Sequence, residues 1–90
     1  MVKPERVRLV IYQTTKNLTD YGMQCTFDAL KRLFDAARQT GRIYGMVREA
    51  FEREPSEENK KLFDEVRKLY NNTWAVIELT LEKCKREGIR

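Results

Sequence analysis

Histidine is missing from the 90 residues, and there are only two prolines, four glycines, two cysteines and one tryptophan. Each shortage excludes something. Without histidine the chain lacks the usual general base near neutral pH and the commonest metal ligand. So few prolines and glycines leave too little turn material for an all-β fold of many short strands. Cys25 and Cys84 are too far apart for a C-x-x-C redox or zinc motif. No stretch approaches the roughly 20 apolar residues of a membrane-spanning helix. The early apolar run Leu9 to Tyr12 is short and follows Arg6 and Arg8, unlike the core of a secretory signal. The expected location is therefore cytoplasmic, where Asn17-Leu18-Thr19 and Asn71-Asn72-Thr73 are chance matches to a glycosylation triplet.

What is present points to one small, ordered helical domain. Charged residues make up 36% and hydrophobic ones 41%, a balance that suits packed amphipathic helices better than disorder. The net charge of +4 is dispersed: four basic and two acidic residues in 1–20, six and five in 21–54, eight and seven in 55–90. No block forms a basic arm, so the surface reads as solvated and mixed in charge. A domain of this size has a modest core, and an oligomer interface or a cross-link would add to its stability.

Apolar residues recur at alternating steps of three and four, the mark of one buried helical stripe. In the first long arm they are Leu30, Leu33, Ala37, Thr40, Tyr44, Val47 and Phe51; in the second, Phe63, Val66, Tyr70, Thr73, Ile77, Thr80 and Cys84. Leu62, Leu69, Trp74, Val76 and Leu81 widen the second stripe. The spacing predicts helices over 26–54 and 57–87, folded back on each other at Glu54-Pro55-Ser56. Pro55 stops the first arm, and Thr26 and Ser56 are expected N-caps. The pairs Glu57/Lys61, Asp64/Lys68 and Glu82/Arg86 stand four apart, acid first, and are expected to bridge. Residues 4–21 carry Val7, Ile11, Thr14, Leu18 and Tyr21 at helical spacing, although Val7 to Tyr12 is also rich in β-formers. The three-four pattern persists for four turns, so helix is the preferred reading. The regularity of Glu52 to Tyr70 is what a thermostable or a designed sequence would show.

Thr40-Gly41 is the difficult point, since glycine after polar residues often ends a helix. The apolar phase passes through it without a slip, which favours one continuous arm. A packing role explains the glycine. If Glu54 faces Glu57, facing residues have numbers summing to 111, so Ala37 opposes Trp74, Gly41 opposes Tyr70 and Gly45 opposes Val66. Ala37, Gly41 and Gly45 would form a trough for Tyr70 and Trp74, with small residues against large.

A first helix that folds straight back at Gly22 covers the first arm only to about Gly41. Beyond it, Ile43, Met46, Phe51, Leu62 and Leu69 would remain partly uncovered, and apolar patches of that kind mark interfaces. The expectation is a homodimer. Cys25 and Cys84 fall near each other at the open end of the hairpin. A disulfide is one reading, but packed helix axes 8–10 Å apart exceed the usual Cα separation of a bridge, so two buried thiols are preferred.

Nothing in the chain assembles a recognisable active site. Glu49, Glu52, Asp64 and Glu65 lack the Glu-x-x-His partners of bundle metal centres, and no Gly-rich phosphate loop follows a strand. No catalytic, cofactor-binding or metal-ligating residue is assigned. Leu33 to Phe51, with Ala36-Ala37, Gly41, Val47 and Ala50, partly resembles a helix-turn-helix. Thr40 and Arg42 stand where that family wants apolar residues. Arg42 to Phe51 also resembles the second helix of ribbon-helix-helix repressors, with only Met23 to Thr26 available as the strand. Either resemblance implies a small dimeric DNA-binding regulator in which Arg38, Arg42 and Arg48 touch nucleic acid. The preferred expectation is an all-α three-helix unit built on a long antiparallel hairpin, dimerising into a larger bundle. It would act as a non-catalytic structural or protein–protein interaction module.

Overall fold

Three helices account for nearly all of the computed structural model, which describes residues 3–90. They are α1 (Pro4–Tyr21), α2 (Phe27–Arg53) and α3 (Glu57–Glu87). Pro4 occupies the first turn of α1, where a missing amide costs nothing. Thr26 Oγ1 accepts from the Ala29 amide at 3.0 Å and Ser56 Oγ accepts from the Asn59 amide at 3.2 Å, so both long helices open on a side-chain cap. Glu54, ahead of Pro55, leaves helical geometry with φ −137° and ψ 92°. Gly88 closes α3 at φ 85°, a positive value that favours glycine.

Residues 4–21 form a helix, and no strand occurs among the described residues. α2 runs unbroken through Gly41, because the phase of its buried residues continues across that position. The expected bridges Glu57/Lys61, Asp64/Lys68 and Glu82/Arg86 do not form. Asp64 instead meets Arg67, one turn away, at 3.5 Å. Exposed pairs contribute little, so the exchange leaves the helix intact.

α2 and α3 lie antiparallel. Phe51 stacks on Phe63 near the tip at 5.7 Å between ring centroids, Tyr44 meets Tyr70 at 5.2 Å, and Phe34 meets Trp74 at 6.2 Å towards the open end. α1 fills one of the two grooves between them. Its Val7 joins Ile43, Val47, Leu62 and Val66 in one buried cluster, and its Leu18 joins Leu33, Ala37, Leu69 and Ile77 in the other.

The connector decides where α1 sits. Gly22 is pressed against α1 and α3: a Cβ there would collide with the Leu18 carbonyl oxygen and come within 3.3 Å of Val76. From Val76 the chain climbs α3. The Met23 amide donates to Thr80 Oγ1 at 2.9 Å, and Cys25 reaches Cys84. Eight residues of helix are about 12 Å. Residues 22–26 therefore cap the open end, and α1 is displaced by that length towards the tip.

Four threonines lie in the core, each at most 1% exposed: Thr14, Thr40, Thr73 and Thr80. Thr40, Thr73 and Thr80 donate to the carbonyls of Ala36, Leu69 and Val76 one turn back, each at 2.7 Å. Thr14 and Thr40 hydroxyls are 3.0 Å apart. The single Thr40 proton is committed to Ala36, so Thr14 is the donor of that bond. Among the described residues every buried side-chain nitrogen and oxygen has a partner, which is what makes burial of these hydroxyls tolerable.

Candidate interaction surface

The patch expected to drive self-association is mostly covered within the chain. Ile43 and Leu62 are 4% exposed and Leu69 9%, while Met46 and Phe51 are half-buried. The expectation placed α1 alongside the first arm only to about Gly41. Displaced by the extended connector, α1 reaches the tip, and Val7 sits among Ile43 and Leu62. These five residues do not form a common exposed face.

The expected trough is shorter than its three small residues suggested. At Gly41 a Cβ would stand 3.2 Å from Tyr70 Cε1, so this glycine does admit a large ring. Gly45, by contrast, has open space around it and faces solvent. Ala37 is buried with Leu33, Leu69 and Ile77 rather than left as a floor for the indole. Trp74 lies on the surface, edge-on to Phe34 at 6.2 Å and to Tyr70 at 6.4 Å. The reason is rotational. Trp74 sits one residue, or about 100°, round from the buried Thr73, so its ring lies at the outer margin of the α2–α3 seam, against Phe34, and not over Ala37.

That rotation creates the principal surface feature. The groove opposite α1 is floored by a ladder of rings, Phe34, Trp74, Tyr70, Tyr44, Phe63 and Phe51, each within 6.4 Å of the next. Its open end keeps large apolar groups in water: Phe27 is 72% exposed, Phe34 42%, Leu81 41% and Trp74 38%. Phe27 and Phe34 lay outside the expected interface. Their signal was in the sequence all the same: Phe27/Phe34 and Trp74/Leu81 are each seven apart, so each pair repeats on one side of its helix. Arginine edges the ladder, with Arg67 5.7 Å from the Phe63 ring centroid.

Cys25 and Cys84 are joined as a disulfide with Cα atoms 5.2 Å apart, which corrects the expectation of two free thiols. The interaxial spacing of packed helices does not apply, because Cys25 stands in the connector and not on a helix. Around the bridge, Lys83 Nζ donates to the Met23 carbonyl at 2.9 Å and the Arg90 amide to the Cys25 carbonyl at 2.8 Å. The C-terminal residues after Gly88 are thereby laid against the connector.

The arginines proposed for nucleic acid do not make one stripe. Arg42 and Arg48 are six residues apart, about 120° round the helix. Arg38 is held by Asp35 at 3.0 Å and Arg48 by Glu52 at 3.2 Å. With α2 continuous, the turn of a helix-turn-helix is absent, and no strand precedes α2 among the described residues. Among those residues no group of three His, Cys, Asp or Glu is placed to hold a metal ion. No family model, no curated protein and no solved structure matches the chain.

Proposed function

We propose that this chain is a non-catalytic helical interaction module that associates with itself. The observation that carries the reading is the aromatic groove opposite α1, whose open end leaves four large apolar side chains more than a third exposed. Leaving such a contiguous surface in water is unfavourable, and it is the usual mark of a binding face. Light scattering or sedimentation equilibrium tests the reading. A mass of twice 10.8 kDa is expected, and a single-chain mass at every concentration defeats it.

DNA binding is the runner-up, supported by the net charge of +4 and by exposed arginines along α2. It predicts a duplex mobility shift that weakens steeply with added salt. No shift at low salt removes it.

Among the described residues no helix is long and apolar enough to cross a membrane. The cytoplasmic reading has to accommodate the disulfide. Such bonds persist inside cells chiefly in hyperthermophiles, and otherwise in oxidising compartments. A thermostable cytoplasmic protein, natural or designed, reconciles the bridge with the charge-rich regular helices.

A further inference from the structure

Resting on the self-association proposed above, we infer that the second copy packs on the aromatic groove opposite α1, with the two-fold axis along the hairpin. Each α2 then lies over α3 of the partner subunit. The result is a four-helix core of paired hairpins, with the two α1 helices outside.

Four observations lead there. The first is area. The molecule measures 47 × 18 × 15 Å, so a face along its length offers about 700–850 Å² in projection, comparable to the ~800 Å² per partner of a standard stable interface. The other exposed apolar side chains fall on separate elements: Leu9 and Tyr12 on α1, Leu79 on α3, Met23 in the connector and Ile89 beyond α3.

The second is level. A two-fold along the hairpin keeps every residue at its own height, so the exposed open end, with Phe27, Phe34, Trp74 and Leu81, meets its own copy. An axis across the hairpin would lay that end on the partner's tip, where the rings are already half-buried.

The third is relief. α3 presents Phe63, Tyr70 and Trp74 on this face. On α2, Gly41 is filled by Tyr70 of the same chain. The gap left open is Gly45, beside Tyr44, which the facing register sets level with residue 66, between Phe63 and Tyr70. Laying α2 over α3 sets large against small, which permits close axes without voids.

The fourth is charge. Lys31, Lys60 and Glu78 border the groove and make no intrachain ion pair among the described residues. At the observed register Lys31 falls level with residue 80 of the opposing α3, within about 3 Å along the axis of Glu78. Glu52, held by Arg48 of its own helix, falls level with residue 59, next to Lys60. Lys31 against Glu78 therefore sets unlike charges across the groove at the open end, which favours this register.

Trp74 is the only tryptophan, so its emission reports this face alone. The experiment uses the oxidised full chain and follows mass and tryptophan fluorescence through a dilution series. As the mass halves, emission should move to the red and acrylamide quenching should rise. Phe34→Ser and Trp74→Ala should each weaken the dimer about 30-fold or more, as truncation of a buried aromatic anchor does. Tyr12→Ser, on the outside of α1, should leave it unchanged. Helical circular dichroism checks that each variant is folded. If the mass halves on dilution while emission stays fixed and Phe34→Ser dimerises normally, the face is wrong and self-association stands. If the mass is that of one chain even at about 100 µM, well above the micromolar range of weak interfaces of this size, both fall together.

Discussion

Thr40 is where single side chains have most effect on this core. Its hydroxyl donates to Ala36 and accepts from Thr14, joining α1 to α2 at full burial. Thr40→Val keeps the shape but leaves the Thr14 proton without an acceptor, and should cost about 1–2 kcal/mol in urea unfolding. Adding Thr14→Val should return part of that loss, a non-additivity that a double-mutant cycle will expose. The interior glycines separate two effects. Gly45 has nothing within 4 Å of a Cβ in the single chain, so Gly45→Ala should stabilise the dissociated chain by about 1 kcal/mol through helix propensity. At Gly41 the same gain is opposed by the Tyr70 ring at 3.2 Å, so thermal melts should show Gly41→Ala gaining less.

At the scale of elements, the ends of the helices carry the specificity. Asn59 stands at the third position of α3, yet its side-chain amide donates to the Glu54 carbonyl at 2.9 Å and the Ala50 carbonyl at 3.3 Å. It therefore closes α2 while belonging to α3. Asn59→Asp sets two effects against each other. A carboxylate near a helix N-terminus gains roughly 0.3–1 kcal/mol, but two donors are lost and an anion faces two carbonyls, at about 1–3 kcal/mol. Net destabilisation of about 1–2 kcal/mol in chemical denaturation follows from that balance. The disulfide acts on the connector. It closes a loop between residues 59 apart, for which the chain-entropy relation gives about 4 kcal/mol. Cys25→Ser with Cys84→Ser should thus lower the melting temperature by about 20 °C. The open-end amides of Cys25 to Phe27 should then exchange with solvent sooner than those of mid-α3.

The whole molecule is a short rod. Its Cα radius of gyration is 14.5 Å, above the ~12 Å of a compact chain of this length. Elongation raises the share of residues at the surface, so the hairpin can cover only one of its two grooves with α1. Small-angle scattering distinguishes ways of doubling the mass. Face-to-face packing should leave the maximum dimension near the single-chain 47 Å, whereas tip-to-tip packing should nearly double it.

The sequence by itself determined the helices. Stripes at steps of three and four, Thr26, Pro55 and Ser56 were enough, because caps and amphipathic periods are local properties read within a few residues. Val7, Thr14, Thr40, Thr73 and Ile77 fell on those stripes and are buried for that reason. Across the hairpin the sequence already set Gly41 against Tyr70; tertiary structure alone decided where α1 lies along it. That Ile43 and Leu62 are covered and that Cys25 bonds Cys84 both follow from five connector residues climbing α3 instead of turning sharply at Gly22. Contacts some 57 to 65 residues away, from Met23 to Thr80 and Lys83 and from Cys25 to Cys84 and Arg90, make that path favourable. Periodicity reports which side of a helix is apolar; it carries no information on how far one helix slides along another.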